Sequence, residues 1–131
     1  MNKIILDTNC YTAYLAGDPK ILQALTEAKT TFMSIFVLGE LYAGFKGGTR
    51  EKENRYVLRK FLDKPSVVTV NASIETADLF GMVKDLLKQI GRPIPINDVW
   101  IAAHALECGA TLVTRDKHFL HILGLRLWEP S

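Results

Sequence analysis

The chain has 131 residues, of which 48% are hydrophobic and 23% are charged, and its formal net charge is +2. This length fits one compact domain over residues 1–131 and leaves no room for two. The composition excludes a disordered or collagen-like protein. The longest apolar stretch, from Phe32 to Phe45, is shorter than a membrane span and contains Glu40, so we predict no transmembrane helix. The small net charge does not by itself indicate a nucleic-acid-binding protein.

The N-terminus and the two cysteines bear on cellular location. Lys3 is followed by an apolar run of only three residues before Asp7. This run is too short to be the apolar core of a signal peptide. Cys10 and Cys108 form no Cys-x-x-Cys pair, so we expect reduced thiols packed as small apolar groups. The sequence therefore predicts a cytoplasmic protein.

Short apolar runs alternate with amphipathic segments along the chain. The predicted strands cover 3–6, 30–35, 67–70, 110–114 and 125–128. The predicted helices lie around 11–15 and 19–25, then over 36–45, 51–63, 73–90 and 97–109, with a short one over 117–121. We expect Asp18 to cap the second helix and Asn97 to cap the helix that ends at Gly109. Strands separated by helical crossovers predict an α/β fold, a three-layer α/β/α sandwich with a mainly parallel central sheet.

Four carboxylates stand where a parallel sheet would gather its ligands, beyond the carboxyl ends of the strands. Asp7 directly follows the first strand, and Asp116 comes two residues after the end of the strand at Thr114. Asp98 lies in the first turn of a predicted helix, and Glu40 interrupts an otherwise apolar helical stretch. Each acid alone has an ordinary explanation as a turn former, a helix cap or an exposed helix position.

Together, the four acids predict a metal site. Several carboxylates packed together would repel one another, and some would protonate, unless a cation neutralised them. Oxygen ligands without pairs of Cys or His favour Mg²⁺ or Mn²⁺ over zinc. With four acids in one site, ten acids would face 16 Lys and Arg elsewhere, a net charge of +6 that suits a polyanionic substrate.

The motifs around these acids resemble those of PIN-domain ribonucleases, and specifically of VapC-type toxins from prokaryotic toxin–antitoxin pairs. The resemblance runs from Leu6 to Leu127 in the expected order. It rests on Leu6-Asp7-Thr8-Asn9, the isolated Glu40, Pro95-Ile96-Asn97-Asp98 with Ile101-Ala102-Ala103, and Thr111-Leu-Val-Thr-Arg-Asp116 with Phe119.

The resemblance implies a PIN-like fold and a Mg²⁺- or Mn²⁺-dependent endoribonuclease that hydrolyses RNA phosphodiester bonds. The implied catalytic and metal-binding quartet is Asp7, Glu40, Asp98 and Asp116. By analogy, Asp7 and Asp98 are the principal ligands of one or two ions. Thr114 and Asn97 would orient the carboxylates. Arg115 is a candidate phosphate contact because it directly precedes one of the acids.

The resemblance also implies partners. A VapB-type antitoxin peptide would lie in an apolar groove near the early helices, and the chain would form a homodimer. Aromatic and aliphatic side chains are plentiful there: Tyr11, Tyr14, Leu15, Phe36, Tyr42 and Phe45. We expect most of them in the core, and an exposed apolar strip among them would fit such a partner. An antitoxin Arg or Lys that reached the acidic quartet would explain inhibition.

Other interpretations stay open. The chain could be a PIN-like RNA-binding module that no longer cleaves, or a phosphotransfer or phosphatase domain, which also places Asp after a first strand. Six basic residues between 46 and 60 could contact phosphates or form a solvated helix face with a Glu51–Arg55 pair. The three histidines lack a second ligand pair for zinc, and we expect His118 and His121 to be surface or packing residues.

Overall fold

The structure of the protein, a computed structural model, describes residues 2–130; Met1 and Ser131, which the predicted domain includes, lie outside the described residues. Within 2–130 the chain forms four β-strands, six α-helices and one 3₁₀ helix. The strands are β1 Lys3–Leu6, β2 Thr30–Ser34, β3 Val67–Val70 and β4 Thr111–Val113. The helices are α1 Thr8–Leu15, α2 Pro19–Glu27, α3 Ile35–Phe45, α4 Glu51–Leu62, α5 Ile74–Gln89 and α6 Ile96–Cys108, and the 3₁₀ helix is Lys117–His121.

The four strands form one parallel sheet in the order β3-β2-β1-β4. In the central strand β1, Ile4, Ile5 and Leu6 are all 0% exposed. Because successive side chains of a strand point to opposite faces, their burial means that both faces of the sheet are covered. The predicted α/β architecture with a parallel central sheet is confirmed. No helix within 2–130 is both long and apolar enough to cross a membrane.

The predicted last strand, 125–128, is wrong, because it reduces to one parallel bridge between Leu112 and Leu127. The N–H of Leu112 donates to the carbonyl of Arg126 at 2.9 Å, and its carbonyl accepts from the N–H of Trp128 at 2.9 Å. Alternate residues of a strand direct their backbone groups to opposite sides. In the three-residue strand β4, only the middle residue, Leu112, therefore directs its backbone groups toward the segment 125–128. No further residue of β4 can pair with that segment, so a longer strand does not form there.

The prediction that Asn97 caps α6 is also wrong. The helix begins one residue earlier, at Ile96, with Pro95 in the cap position. The carbonyl of Pro95 accepts from the amide of Asp98 at 3.0 Å. Asn97 therefore lies inside the first turn, where its side chain cannot perform the capping role.

A buried histidine ties the sheet to α3 and α6. His104 is 0% exposed; its Nδ1 lies 2.7 Å from Ser34 Oγ, and its Nε2 lies 3.2 Å from the carbonyl oxygen of Asn71. A carbonyl only accepts, so Nε2 donates to it and Nδ1 accepts from the serine hydroxyl. Ser34 also caps α3, because its Oγ accepts from the amide of Phe36 at 3.1 Å. This network fixes the start of the helix that carries Glu40.

The burial of His104 predicts a pH dependence of folding. Burial lowers the pKa of His104 below its ordinary value, so the folded protein keeps the imidazole neutral, whereas the unfolded chain protonates it below about pH 6.5. This contribution to the free energy of unfolding should be complete above that pH. It should decrease at lower pH, by at most about 1.4 kcal/mol per pH unit.

Urea unfolding at about pH 7.5 and about pH 5.5 measures this contribution. We expect a smaller loss of stability between the two pH values in His104→Gln than in the wild type. His121→Gln, a change at an exposed histidine, should behave like the wild type. Equal pH effects in all three proteins would contradict the assignment.

Candidate active site

Asp7 lies between β1 and α1, and its carboxylate is held at both oxygens. The residue is 6% exposed. Its Oδ1 accepts from the amide of Cys10 at 2.8 Å, which caps α1. Its Oδ2 accepts from the hydroxyl of Thr114 at 2.5 Å. Two donors at fixed positions leave this buried carboxylate with one orientation.

Thr114 joins two of the predicted acids. It directly follows β4, is 7% exposed, and donates its hydroxyl to Asp7 while its Oγ1 accepts from the amide of Asp116 at 3.0 Å. β1 and β4 are neighbours in the parallel sheet, so their carboxyl ends meet at one edge. Thr114 thus stands where the predicted orienting role requires it, and the role itself stays a prediction.

Asp98, Asp116 and His118 form a cluster of possible metal ligands. One ligand atom from each lies within 4.8 Å of the others. His118 Nδ1 lies 3.1 Å from Asp98 Oδ2 and 3.2 Å from Asp116 Oδ1. The same oxygen of Asp116 accepts from the amide of His118 at 2.9 Å and caps the 3₁₀ helix. Strand order and helix starts therefore bring Asp98 and Asp116 together, as the sequence predicted.

The prediction for His118 was incomplete. Its side chain is exposed, as expected of a surface residue, but its ring faces two carboxylates. The two-residue spacing from Asp116 is a signal for the backbone hydrogen bond between the amide of His118 and that carboxylate, but the approach of the ring to Asp98 has no local signal in the sequence.

The electrostatics of Asp98 reflect its crowded position. Burial raises the pKa of Asp98, and the neighbouring carboxylates of Asp116 and Glu40 raise it further, while the hydrogen bond and charge of His118 lower it. Like charges close together disfavour ionisation. Asp116 and Glu40, two of the other three predicted acids, therefore lie close enough to Asp98 to affect its ionisation.

Glu40 approaches the site from α3. Its Oε1 accepts from the hydroxyl of Thr8 at 2.7 Å. Thr8 follows Asp7, so this hydrogen bond joins α3 to the start of α1. The carboxylates of Glu40 and Asp7 lie outside the cluster of Asp98, Asp116 and His118. Asp98 and Asp116 therefore form a close pair. Asp7 and Glu40 lie at the same edge of the sheet, where each accepts a hydrogen bond from a threonine hydroxyl.

Arg115 pairs with an acid outside the quartet. Its Nη1 donates to Asp18 Oδ2 at 2.6 Å, and its guanidinium carbon lies 5.7 Å from the ring centroid of Trp128. The hydrogen bond from Arg115 lowers the pKa of Asp18 to about 2. Asp18 also caps α2, as predicted. The phosphate contact of Arg115 stays a prediction.

The orienting role of Asn97 also stays a prediction. Its Nδ2 is buried without a hydrogen-bond partner among the residues that the structure describes.

Cys10 lies behind Asp7 as an unreactive thiol, because burial and the nearby carboxylate raise its pKa to about 12.

The basic residues between 46 and 60 partly pair with acids of their own segment. Arg50 Nη2 lies 2.5 Å from Glu53 Oε1, and Lys46 Nζ lies 3.7 Å from Glu51 Oε2. Within residues 2–130, Glu51 makes this contact instead of the predicted pair with Arg55. These contacts favour the solvated-helix alternative for these residues.

The donor set fits a hard divalent cation. Carboxylate oxygens dominate it, and one imidazole nitrogen reaches the two closest acids. Carboxylates suit Mg²⁺ and Mn²⁺. A cation would relieve the carboxylate repulsion that, in addition to burial, raises the pKa of Asp98.

Comparison with known proteins agrees with this geometry. The family model described as PIN domain matches residues 4–124. Ribonuclease VapC1 of Haemophilus influenzae (strain R2866) is 31% identical over 130 residues, 95% of each chain. The tRNA(fMet)-specific endonuclease VapC of Shigella flexneri is 28% identical over 135 aligned positions, 100% of each chain. The crystal structure of VapBC2 from Rickettsia felis bound to a promoter DNA fragment has a chain with a TM-score of 0.84 and 28% identity, covering 98% of this chain and 99% of that one.

The chain belongs to the PIN-domain family, as a VapC-type member. The resemblance predicted from its motifs is confirmed. Asp98 and Asp116, the close acidic pair of this structure, lie within the residues that the family model matches.

Proposed function

We propose that this chain is one nuclease domain over 1–131 and the endoribonuclease toxin of a toxin–antitoxin pair, hydrolysing RNA phosphodiester bonds with Mg²⁺ or Mn²⁺. The observation that carries the proposal is the pairing of Asp98 with Asp116 at the carboxyl edge of a parallel sheet. Metal-assisted hydrolysis does not need the ribose 2′-OH as nucleophile. The choice of RNA over DNA is therefore supported by full-length similarity to ribonucleases.

The quartet would hold the cation. Asp98 and Asp116 offer the closest oxygens, and Asp7 and Glu40 extend the site directly or through water. When bound, a divalent ion supplies positive charge against the phosphate and lowers the pKa of a water.

The chain's own residues supply orientation and a proton acceptor. Thr114 bonds both Asp7 and the amide of Asp116, so these acids keep their positions when RNA enters. Glu40 uses Oε1 to accept from Thr8, and its Oε2 has no hydrogen-bond partner among the described residues. We therefore assign to Glu40 the proton that the attacking water loses.

Removal of one acid tests the nuclease assignment. The purified wild type should cleave structured RNA with Mg²⁺ or Mn²⁺, and a transfer RNA is the first substrate to try, given the name of the Shigella relative. Asp98→Asn should lower the cleavage rate by about 100-fold or more, because a charge facing the cation is lost. Asp78→Asn, an equal loss of charge at an exposed position of α5, should cleave at the wild-type rate.

Several outcomes would contradict the proposal. Cleavage that persists in excess chelator would exclude a metal-dependent site. Equal activity of Asp98→Asn and Asp78→Asn would remove Asp98 from the site. Wild-type protein that binds RNA with the cation present but never cleaves it would favour the binding-module interpretation.

The antitoxin is the second part of the proposal. Most of the aromatic set of the early helices is at least partly buried: Tyr11, Tyr14, Phe36, Tyr42 and Phe45. Leu15 on α1 and Leu22 on α2 remain 47% and 49% exposed, and these two helices pack on each other. Exposed apolar groups on adjacent helices suit an amphipathic peptide. They support placing the VapB-type segment on this face. Since α1 begins beside Asp7 and ends at Leu15, a segment that ran along α1 toward its first turn would bring a cationic side chain near the acids.

Charge placed on this face tests the partner. The double variant Leu15→Arg with Leu22→Arg should lose co-purification with the product of a short reading frame directly upstream, weakening the complex by roughly 2 kcal/mol or more. It should still cleave RNA, because both side chains are exposed. Ile74→Arg, at an 85% exposed position of α5, should retain both properties. Unchanged co-purification of the double variant would contradict the placement of the antitoxin segment on α1 and α2. Sedimentation of the same samples tests the homodimer that the family resemblance implies.

A further inference from the structure

One imidazole nitrogen stands between the two closest carboxylates of the site. His118 Nδ1 lies 3.1 Å from Asp98 Oδ2 and 3.2 Å from Asp116 Oδ1. The three side chains come from α6, from the residue that caps the 3₁₀ helix, and from that helix itself. No other histidine belongs to this cluster in residues 2–130.

The local fold does not require this position of the ring. The backbone amide of His118 already donates to Asp116 Oδ1 at 2.9 Å, which is sufficient to cap the 3₁₀ helix. The side chain is 48% exposed, so packing does not force the ring toward Asp98 either. The ring nevertheless directs Nδ1 at both carboxylates.

We propose that His118 Nδ1 is a ligand of the divalent cation together with Asp98 and Asp116, and that the site therefore prefers Mn²⁺ to Mg²⁺. The inference rests on the cation of the proposed function. Bonds of about 2.1 Å to one octahedral ion place adjacent ligand atoms about 3 Å apart. The two separations in the structure, 3.1 Å and 3.2 Å, match that spacing without a rotation of the ring.

The preference for Mn²⁺ follows from the donor types. Mg²⁺ is a hard ion that takes oxygen ligands and keeps several waters. An imidazole nitrogen suits transition metals, and Mn²⁺ also accepts carboxylates readily. A site of two carboxylates and one imidazole is thus better matched to Mn²⁺, whereas an all-carboxylate site would not discriminate in this way.

Pulsed electron paramagnetic resonance on the full chain loaded with Mn²⁺ detects a coordinated nitrogen directly. We expect the wild type to show modulation from a bound ¹⁴N, and His118→Asn to lose it. Asn keeps a hydrogen-bond donor near the position of Nδ1, so it preserves a purely positioning role and removes only the imidazole ligand. His121→Asn, a change at the other histidine of the same 3₁₀ helix, should retain the signal.

Metal affinities measured on the same proteins give a second readout. In His118→Asn the Kd for Mn²⁺ should rise by roughly tenfold or more. Its Kd for Mg²⁺ should change little, so the preference for Mn²⁺ shrinks. In the wild type, Mn²⁺ should bind more tightly than Mg²⁺.

The possible failures are distinct. Mn²⁺ that binds the wild type without ¹⁴N modulation, or that binds His118→Asn equally well, would overturn the role of His118 and leave the nuclease assignment intact. A wild type that binds neither ion, or whose cation binding is unchanged in Asp98→Asn, would overturn the proposed function and this inference together.

Discussion

Repulsion between carboxylates at one edge of a parallel sheet is the constraint on which the rest of this structure depends. Parallel pairing of β1 with β4 brings the segments that begin at Asp7 and Thr114 to the same edge. The first turn of α6 adds Asp98 to that edge. The raised pKa of Asp98 records the cost of this arrangement, because burial and neighbouring negative charge both oppose its ionisation.

The surrounding structure holds these acids in place rather than separating them. Thr114 connects Asp7 to the backbone of Asp116, and the His104 network anchors the start of α3. Arg115, the nearest arginine in sequence, pairs with Asp18 instead of neutralising the cluster. Compensating charge at this cluster is thus left to a cation, which is the arrangement a metal-dependent nuclease needs.

Much of this could be predicted from the sequence, because the features concerned are local. Asp7 directly follows a short run of β-branched and apolar residues, and an acid after such a run lies at the carboxyl end of a strand. Glu40 interrupts an apolar helical stretch, and the motif resemblance groups it with the other acids. Each of these predictions depends only on residues that are close in sequence to the acid concerned.

The incorrect or incomplete predictions concern which groups make particular hydrogen bonds, whether those groups are near or far in the sequence. The segment 125–128 reads as a strand, but its pairing is limited by the length of β4. Asn97 reads as a cap, but the carbonyl of Pro95 already accepts the first helical hydrogen bond. The position of His118 depends on Asp98, twenty residues earlier, which no local pattern reveals.

The dependence of folding stability on a divalent cation tests the central claim most directly. In excess chelator, Asp98→Asn should be at least as stable to urea as the wild type, because the substitution removes a carboxylate that the fold disfavours. Mn²⁺ at about 100 times its Kd should raise the free energy of unfolding of the wild type by about 2.7 kcal/mol, and that of the variant by much less. A wild type equally stable with and without the cation, and more stable than Asp98→Asn in chelator, would contradict the account.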